Sequence, residues 1–245
     1  MKVSTQLFIY KGMNFFYKSE IVDYDYFYNL HKETILFLHG WGGNKFSFLS
    51  TINLLKNKYN ILSITLPTIH PSKEVWNIQN YCDLVLNILH LYNIKNPIII
   101  CHSFGFRIAL LLNQKICIKK LIVTGGAGIK KDNLFLHIKQ RRNLLKLKQN
   151  KNFFFTIASK DYLELSSTNR QTFKNIVNLN LKNFIKFNCP ILLFWGKHDA
   201  DTKLWIAKKI KQKNKAKLIL TNSDHFAYLK LNHYFNNEVI KFLEK

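Results

Sequence analysis

Residues 98–112 carry the sequence IIICHSFGFRIALLL, which places one serine between two apolar segments. The short β-branched run at its start predicts a buried strand, and the apolar run at its end predicts a buried helix. Little chain remains for the turn between them, so Ser103 would sit in a strained backbone conformation that requires small residues two positions away on either side. Gly105 and Cys101 meet that requirement. The simpler alternative is that Ser103 caps the N-terminus of the helix.

Composition favours a single α/β domain with an insertion, because 245 residues of which 47% are hydrophobic and 14% aromatic can bury one sizeable core. The first dozen residues lack the pattern of a signal peptide, and no stretch approaches 18 apolar residues. We therefore expect a cytoplasmic protein without a membrane span. The four cysteines form neither a CxxC pair nor a metal-ligand spacing, which favours free thiols and no metal site.

The charge is strongly positive, with 37 Lys and Arg residues against 14 Asp and Glu residues and a formal net charge of +23. Such an excess attracts nucleic acids, anionic membranes and acidic proteins without specifying a fold. The lysines are dispersed through a chain that is also rich in Asn, Ile, Phe and Tyr, which favours compositional drift in an AT-rich genome. No recognition motif or aromatic-basic array is present, so we expect no nucleic-acid partner.

Several further elements follow from hydrophobic periodicity and turn residues. Residues 6–10 and 14–17, separated by Lys11-Gly12-Met13, predict an opening β-hairpin. The strand at 34–38 leads into His39-Gly40-Trp41-Gly42-Gly43, where three glycines in five residues indicate a sharp turn and a close approach of the backbone. Later patterns predict strands at 59–66, 119–124, 189–195 and 217–220 and helices at 75–92 and 203–213.

The serine turn resembles the nucleophile elbow of the α/β-hydrolase family, whose G-x-S-x-G pattern appears here as C-H-S-F-G, with Cys101 in place of the first glycine. The resemblance implies an α/β fold with a mostly parallel eight-stranded sheet, helices on both faces and a helical cap. Strand patterns stop between residues 129 and 187, where cationic helical patterns begin, and this is where the family inserts its cap. We therefore expect core segments at 1–128 and 188–245 and a cap at 129–187.

The resemblance also supplies the other site residues. A carboxylate just past a strand orients the histidine of this family, and the pattern W-G-x-x-D matches Asp199, while Asp201 comes two residues too late. The segment H-F-A-Y-L after the last strand matches the position of the base, His225. The two backbone N–H groups of the oxyanion hole would come from Trp41 and Phe104. His39, His102 and His198 fit neighbouring motif positions and are interpreted as structural.

The order Ser103, Asp199, His225 is that of the α/β hydrolases. The resemblance implies a serine hydrolase that cleaves an ester of a small acyl substrate through an acyl-enzyme, without cofactor or metal. The serine argues against haloalkane dehalogenases and epoxide hydrolases, whose nucleophile is an aspartate. Carboxylesterases, proline iminopeptidases, C–C bond hydrolases and cofactor-free haloperoxidases share the serine triad, so the fold does not name the substrate.

Two alternatives remain open. The glycine loop and the cationic cap are similar to those of pimeloyl-acyl-carrier-protein methyl esterases, so an acidic carrier protein could dock on cap cations such as Arg141, Arg142, Lys146 and Lys148. A non-catalytic hydrolase relative that serves as a binding protein is the second alternative. A broken triad would favour it, whereas all three residue types are present in this chain.

Overall fold

The eight strands of the described residues form a single sheet. The computed structural model describes residues 7–30, 33–69, 72–131 and 165–245. The strand order is β1-β2-β4-β3-β5-β6-β7-β8; β1 pairs with β2 and β2 with β4 antiparallel, and all other pairs are parallel. The expectation of a mostly parallel eight-stranded sheet is thereby confirmed. The strands are β1 (Leu7–Tyr17), β2 (Glu20–Asn29), β3 (Thr34–Leu38), β4 (Asn60–Ile64), β5 (Ile98–His102), β6 (Lys120–Thr124), β7 (Ile191–Gly196) and β8 (Ala216–Thr221).

Helices cover both faces of the sheet, as expected. The inner strands are apolar on both sides because successive side chains point to opposite faces. In β3, for example, Leu36 and Leu38 pack into one buried cluster, while Ile35 and Phe37 pack into the other. The first cluster includes side chains of α2 (Ile78–Leu91), α3 (Phe104–Leu112) and α5 (Trp205–Lys213), and the second includes those of α1 (Leu49–Leu55), α6 (Ala227–Lys230) and α7 (Asn232–Leu243).

The beginning of the chain differs from the predicted hairpin. Residues 7–17 form one strand whose register shifts between Tyr10 and Met13, and its partner is β2 rather than a second half of the same segment. Gly12 lies in that irregular stretch with φ +62°, a conformation that glycine adopts without strain. The glycine that suggested a turn therefore marks an irregularity within a strand.

The interval between β6 and β7 contributes no strand in its described residues, 129–131 and 165–187, which contain α4 (Ser167–Val177) and a 3₁₀ helix (Lys182–Phe184). Buried Arg107 of α3 donates from Nη1 to the carbonyl oxygens of Ile176 at 3.0 Å and Leu179 at 3.3 Å, so it joins the end of α4 to the core. The segment limits 128/129 and 187/188 stay predictions. The cap cations Arg141, Arg142, Lys146 and Lys148 lie outside the described residues.

The helices among the described residues are too short or too polar to cross a lipid bilayer.

Candidate active site

Ser103 occupies the tip of the turn between β5 and α3. Its backbone has φ 46° and ψ −107°, an unfavourable conformation for a residue with a side chain. Three hydrogen bonds hold it: its N–H donates to the Thr124 oxygen at 3.1 Å, and its own carbonyl accepts from the N–H groups of Phe106 and Ala127. The Ser103 side chain makes no capping hydrogen bond to α3, so the helix-cap alternative is wrong.

The small residues on either side of Ser103 meet the steric requirement differently. A Cβ atom added to Gly105 would lie 2.3 Å from the Leu38 carbonyl oxygen, so any side chain there would collide with the backbone of β3. Cys101 is completely buried, and its thiol donates to the Ile122 carbonyl at 3.6 Å. The elbow therefore requires glycine after the serine and accepts a small buried side chain before it.

The glycine loop after β3 packs against the elbow. A Cβ atom added to Gly40 would lie 3.4 Å from the Ser103 Cβ and 2.5 Å from His102 Nδ1, so only glycine allows this approach. Outside regular helices and strands, no hydrogen bond among the described residues uses the N–H of Trp41 or of Phe104. The N–H of Phe104 lies in the first turn of α3, where backbone donors have no partner within the helix. Both groups are thus available for a ligand oxygen.

His225 and Asp199 meet across the ends of β7 and β8. The Nδ1 of His225 lies 2.9 Å from Oδ2 of Asp199, and both residues are buried. A Cβ atom added to Gly125 would lie 2.9 Å from both His225 Nδ1 and Cε1, so the loop after β6 also packs against this ring. The described hydrogen bonds include none between the Ser103 hydroxyl and His225. Such bonds often form only once substrate is bound.

Thr202 is a site residue that the sequence reasoning missed. Its N–H donates to Asp199 Oδ1 at 2.7 Å, its hydroxyl donates to Oδ2 at 2.8 Å, and the same hydroxyl lies 3.2 Å from His225 Nδ1. Burial by itself raises the pKa of the Asp199 carboxyl, but the bonds from His225 and Thr202 outweigh burial and lower it. Asp199 is therefore held as a carboxylate. A threonine three residues after the acid was the available sequence signal.

Asp201 has a different role from Asp199. Its side chain is exposed, and its N–H donates to Asp199 Oδ1 at 3.0 Å. Ligand atoms of Asp199, Asp201 and His225 lie within 4.8 Å of one another, an arrangement that could hold a metal ion. Two of the three, Asp199 and His225, are already joined by the hydrogen bond that orients His225.

The histidines interpreted as structural join separate parts of the site. The Nε2 of His39 accepts a hydrogen bond from the Leu66 N–H at 2.8 Å, so the proton of the neutral ring is on Nδ1, which donates to the Gly40 carbonyl oxygen at 2.6 Å. Burial lowers the pKa of His39 to about 4. His102 contacts the His225 carbonyl oxygen through Nε2 at 3.2 Å, and burial together with the neighbouring His225 lowers its pKa to about 3. Both side chains are neutral near pH 7.

Aromatic side chains flank the elbow. The ring of Trp41 makes edge contacts with the rings of Phe104 at 5.4 Å and Phe173 at 5.0 Å between centroids. Phe173 belongs to α4, in the interval between β6 and β7. The two residues expected to form the oxyanion hole thus also form an apolar wall. The apolar residues Phe153, Phe154, Phe155, Tyr162 and Leu163 of the expected cap lie outside the described residues.

Solved structures of similar architecture match nearly the whole chain. The esterase EaEST from Exiguobacterium antarcticum superposes with a TM-score of 0.67 and 16% identity, over 92% of this chain and 96% of that one. The enol-lactonase from Burkholderia xenovorans LB400 gives 0.69 and 12% identity, over 92% and 97%. The chain has the α/β-hydrolase fold. The resemblance inferred from the serine turn is confirmed at the level of the fold.

A curated relative of this α/β-hydrolase-fold chain is the uncharacterized hydrolase YugF of Bacillus subtilis (strain 168). The two are 24% identical over 221 residues, which cover 77% of this chain and 81% of YugF. No family model matches the sequence. These similarities establish the architecture, and the chemistry rests on the geometry of this chain's own residues.

Proposed function

We propose that the protein is a serine hydrolase that cleaves a carboxylic ester through an acyl-enzyme on Ser103. The observation that carries this proposal is the buried hydrogen bond, 2.9 Å long, between His225 Nδ1 and Asp199 Oδ2. With Nδ1–H donated to a carboxylate, the lone pair of the imidazole is on Nε2, the atom that must accept a proton from a serine. The strained backbone of Ser103 supports the same role, because such strain is retained where it serves function.

The reaction proceeds in two acyl transfers. His225 Nε2 takes the proton of the Ser103 hydroxyl as the serine oxygen attacks the acyl carbonyl, and the N–H groups of Trp41 and Phe104 stabilise the oxyanion. The imidazolium then gives that proton to the leaving alcohol, and the ester of Ser103 remains. Water attacks this ester with His225 again as the base, which releases the carboxylic acid and restores the serine.

Ester cleavage is favoured over the other chemistries of this fold by two considerations. An oxygen nucleophile on a serine suits acyl transfer, whereas displacement at a saturated carbon would require a carboxylate nucleophile. Two structural neighbours are named an esterase and an enol-lactonase, and both names refer to cleavage of an acyl–oxygen bond. The edge contacts of Trp41 with Phe104 and Phe173 favour a small acyl substrate with an apolar acyl group.

Covalent labelling with a fluorophosphonate tests the proposal, because an activated serine attacks phosphorus as it attacks an acyl carbon. We expect the intact mass to rise by one adduct, and Ser103→Ala to abolish that rise. Ser223→Ala is the matched control, since Ser223 lies in the loop of His225 and its buried hydroxyl has no hydrogen-bond partner among the described residues. This variant should be labelled like the wild type.

Two results would contradict the proposal. An adduct that persists in Ser103→Ala would place the nucleophile elsewhere in the chain. A folded wild-type protein that neither takes up the label nor hydrolyses any p-nitrophenyl ester would instead favour the non-catalytic binding protein.

A further inference from the structure

A cavity lies between residues 182–186 and the side of α5 that carries Lys209 and Lys213. Its volume is about 370 Å³. Four of its six lining residues are lysines, and none is acidic. The lining residues are Lys182, Asn183, Ile185, Lys186, Lys209 and Lys213, and we refer to this site as the lysine cavity. It includes no residue of the candidate active site.

The two walls of the lysine cavity are clamped together at the end of α5. Asn214, which follows the last residue of that helix, donates through Nδ2 to the carbonyl oxygens of Ile185 and Ile210, both at 2.8 Å. Its Oδ1 accepts from the Phe187 N–H, also at 2.8 Å. Three side-chain hydrogen bonds from one residue therefore fix residues 185–187 against the helix. These bonds hold the two walls together, and a rigid site lowers the entropic cost of binding.

The charges around the lysine cavity are of one sign. Lys209 and Lys213 lie four residues apart on the same face of α5, an arrangement that is mildly destabilising for like charges. Lys182 and Lys186 face them from the opposite wall, and both Lys182 and Lys209 are half-buried. Among the described residues no ion pair involves Lys186, Lys209 or Lys213. Lys186, Lys209 and Lys213 thus concentrate positive potential without a counter-charge among the described residues.

We propose that the lysine cavity binds a compact polyanion of the di- or triphosphate class. Ammonium groups act as point charges that suit the several oxygens of a phosphate chain, and lysines of both walls line this one concavity. The lining contains no aromatic ring on which a nucleobase could stack. A concave site of this volume favours a small soluble anion over a duplex or a protein, which would require a broad surface.

Calorimetric titration of the full chain with tripolyphosphate, at a fixed ionic strength near 0.1 M, tests the proposal. We expect one bound anion per chain, and a loss of affinity of about tenfold or more when Lys209→Gln and Lys213→Gln are combined. The matched control combines Lys208→Gln and Lys211→Gln, which removes the same charge from the same helix outside the cavity lining. The control should change affinity by less than about threefold, because only screened long-range attraction is lost.

Each result decides the question. An equal loss of affinity in the two double variants would overturn the proposal, because it would show attraction to net charge rather than to the lysine cavity. Absence of binding to the wild type would also overturn it. Citrate provides a trivalent carboxylate probe, and citrate binding as tight as that of tripolyphosphate would overturn the assignment to phosphates. Circular dichroism of both double variants confirms that they are folded.

Discussion

The candidate active site and the lysine cavity use polar side chains in opposite ways. At the active site Asp199 accepts hydrogen bonds from His225, Thr202 and the N–H of Asp201, and the buried carboxylate has its counterparts within the protein. At the lysine cavity, positive groups face one another and the wall contributes no carboxylate. The first arrangement fixes one protonation state and one orientation. The lysine cavity instead presents positive charge that a bound anion could neutralise.

This difference helps to distinguish a functional arrangement of charges from one that arises only because the chain is rich in lysine, with a net charge of +23. Random enrichment in lysine can place cations together on a surface, since their long side chains keep the charge in water. It does not produce a buried acid whose oxygens are matched by several donors, because each unmatched group would cost about 1–3 kcal/mol. The matched donors around Asp199 therefore support the proposed active site more strongly than clustered lysines support the lysine cavity.

The largest expected effect concerns the acid. Asp199→Asn should lower kcat by about 10⁴, because an amide would hold His225 in the wrong tautomer, whereas a carboxylate holds Nδ1–H toward itself. Asp201→Asn is the matched control, two residues away and exposed, and should cost less than about tenfold. Steady-state hydrolysis of a p-nitrophenyl ester by both variants measures this. A larger loss of kcat in Asp201→Asn would show that Asp201, not Asp199, orients His225.

A smaller effect, on the free energy of unfolding, is expected from buried neutral histidines when the pH is lowered. The pKa of His39 is about 4 in the folded chain and near 6.5 when unfolded, so between these values the unfolded state binds the proton first. Stability contributed by neutral His39 is present above pH 6.5 and is lost as the pH falls toward 4. Between pH 7 and pH 5 the loss should be about 2 kcal/mol from this residue.

Urea unfolding at the two pH values measures that loss. His39→Gln, which does not titrate, should reduce the pH dependence of the unfolding free energy by about this amount, although its stability at pH 7 is lower. Exposed His233→Gln serves as the control and should keep the wild-type dependence. If the His39 variant lost as much stability between pH 7 and pH 5 as the wild type, His39 would not be held neutral.

The smallest expected effect lies at the lysine cavity. Without a polyanion, Lys209→Gln should raise the free energy of unfolding by about 0.5 kcal/mol or less at low salt, because it relieves like-charge repulsion. Lys208→Gln, on the same helix but outside the cavity lining, should raise it by less. The difference between the two variants should vanish in 1 M NaCl, where charges are screened within about 3 Å. A difference that is independent of salt would indicate packing rather than charge.

Much of the sheet could be predicted because its strands are short, apolar and bounded by glycine or polar turns. The strand at Thr34–Leu38 has the predicted limits, and the helix predicted at 75–92 is observed at Ile78–Leu91. Strand β2 was missed. Its alternation is present, with Val22, Tyr24 and Tyr26 buried on one face, but Asp23 and Asp25 occupy the other face, and acidic residues are uncommon in strands.

The tertiary structure explains the acidic residues of β2, because they form ion pairs with a lysine that is distant in the sequence. Lys45, just after the glycine loop, lies 2.7 Å from Asp23 and 2.8 Å from Asp25, and Asp25 also accepts from the Gly12 N–H. The ion pairs fasten the loop that carries Trp41 to a strand 20 residues earlier. Nothing in the local pattern of β2 indicates this partner, because the contact depends on β2 lying beside β4.

The sequence by itself determined the serine turn, the glycine loop and the order of the candidate catalytic residues. These features are marked by residue types in short motifs, with glycines at the tight turns and Ser103, Asp199 and His225 each just after a predicted strand. Only the tertiary structure decided that Thr202 donates to Asp199 and lies beside His225, and that lysines from residues 182–186 and α5 share one cavity. Such contacts join residues that are distant in the chain, and their geometry is set by strand order and loop path rather than by local spacing.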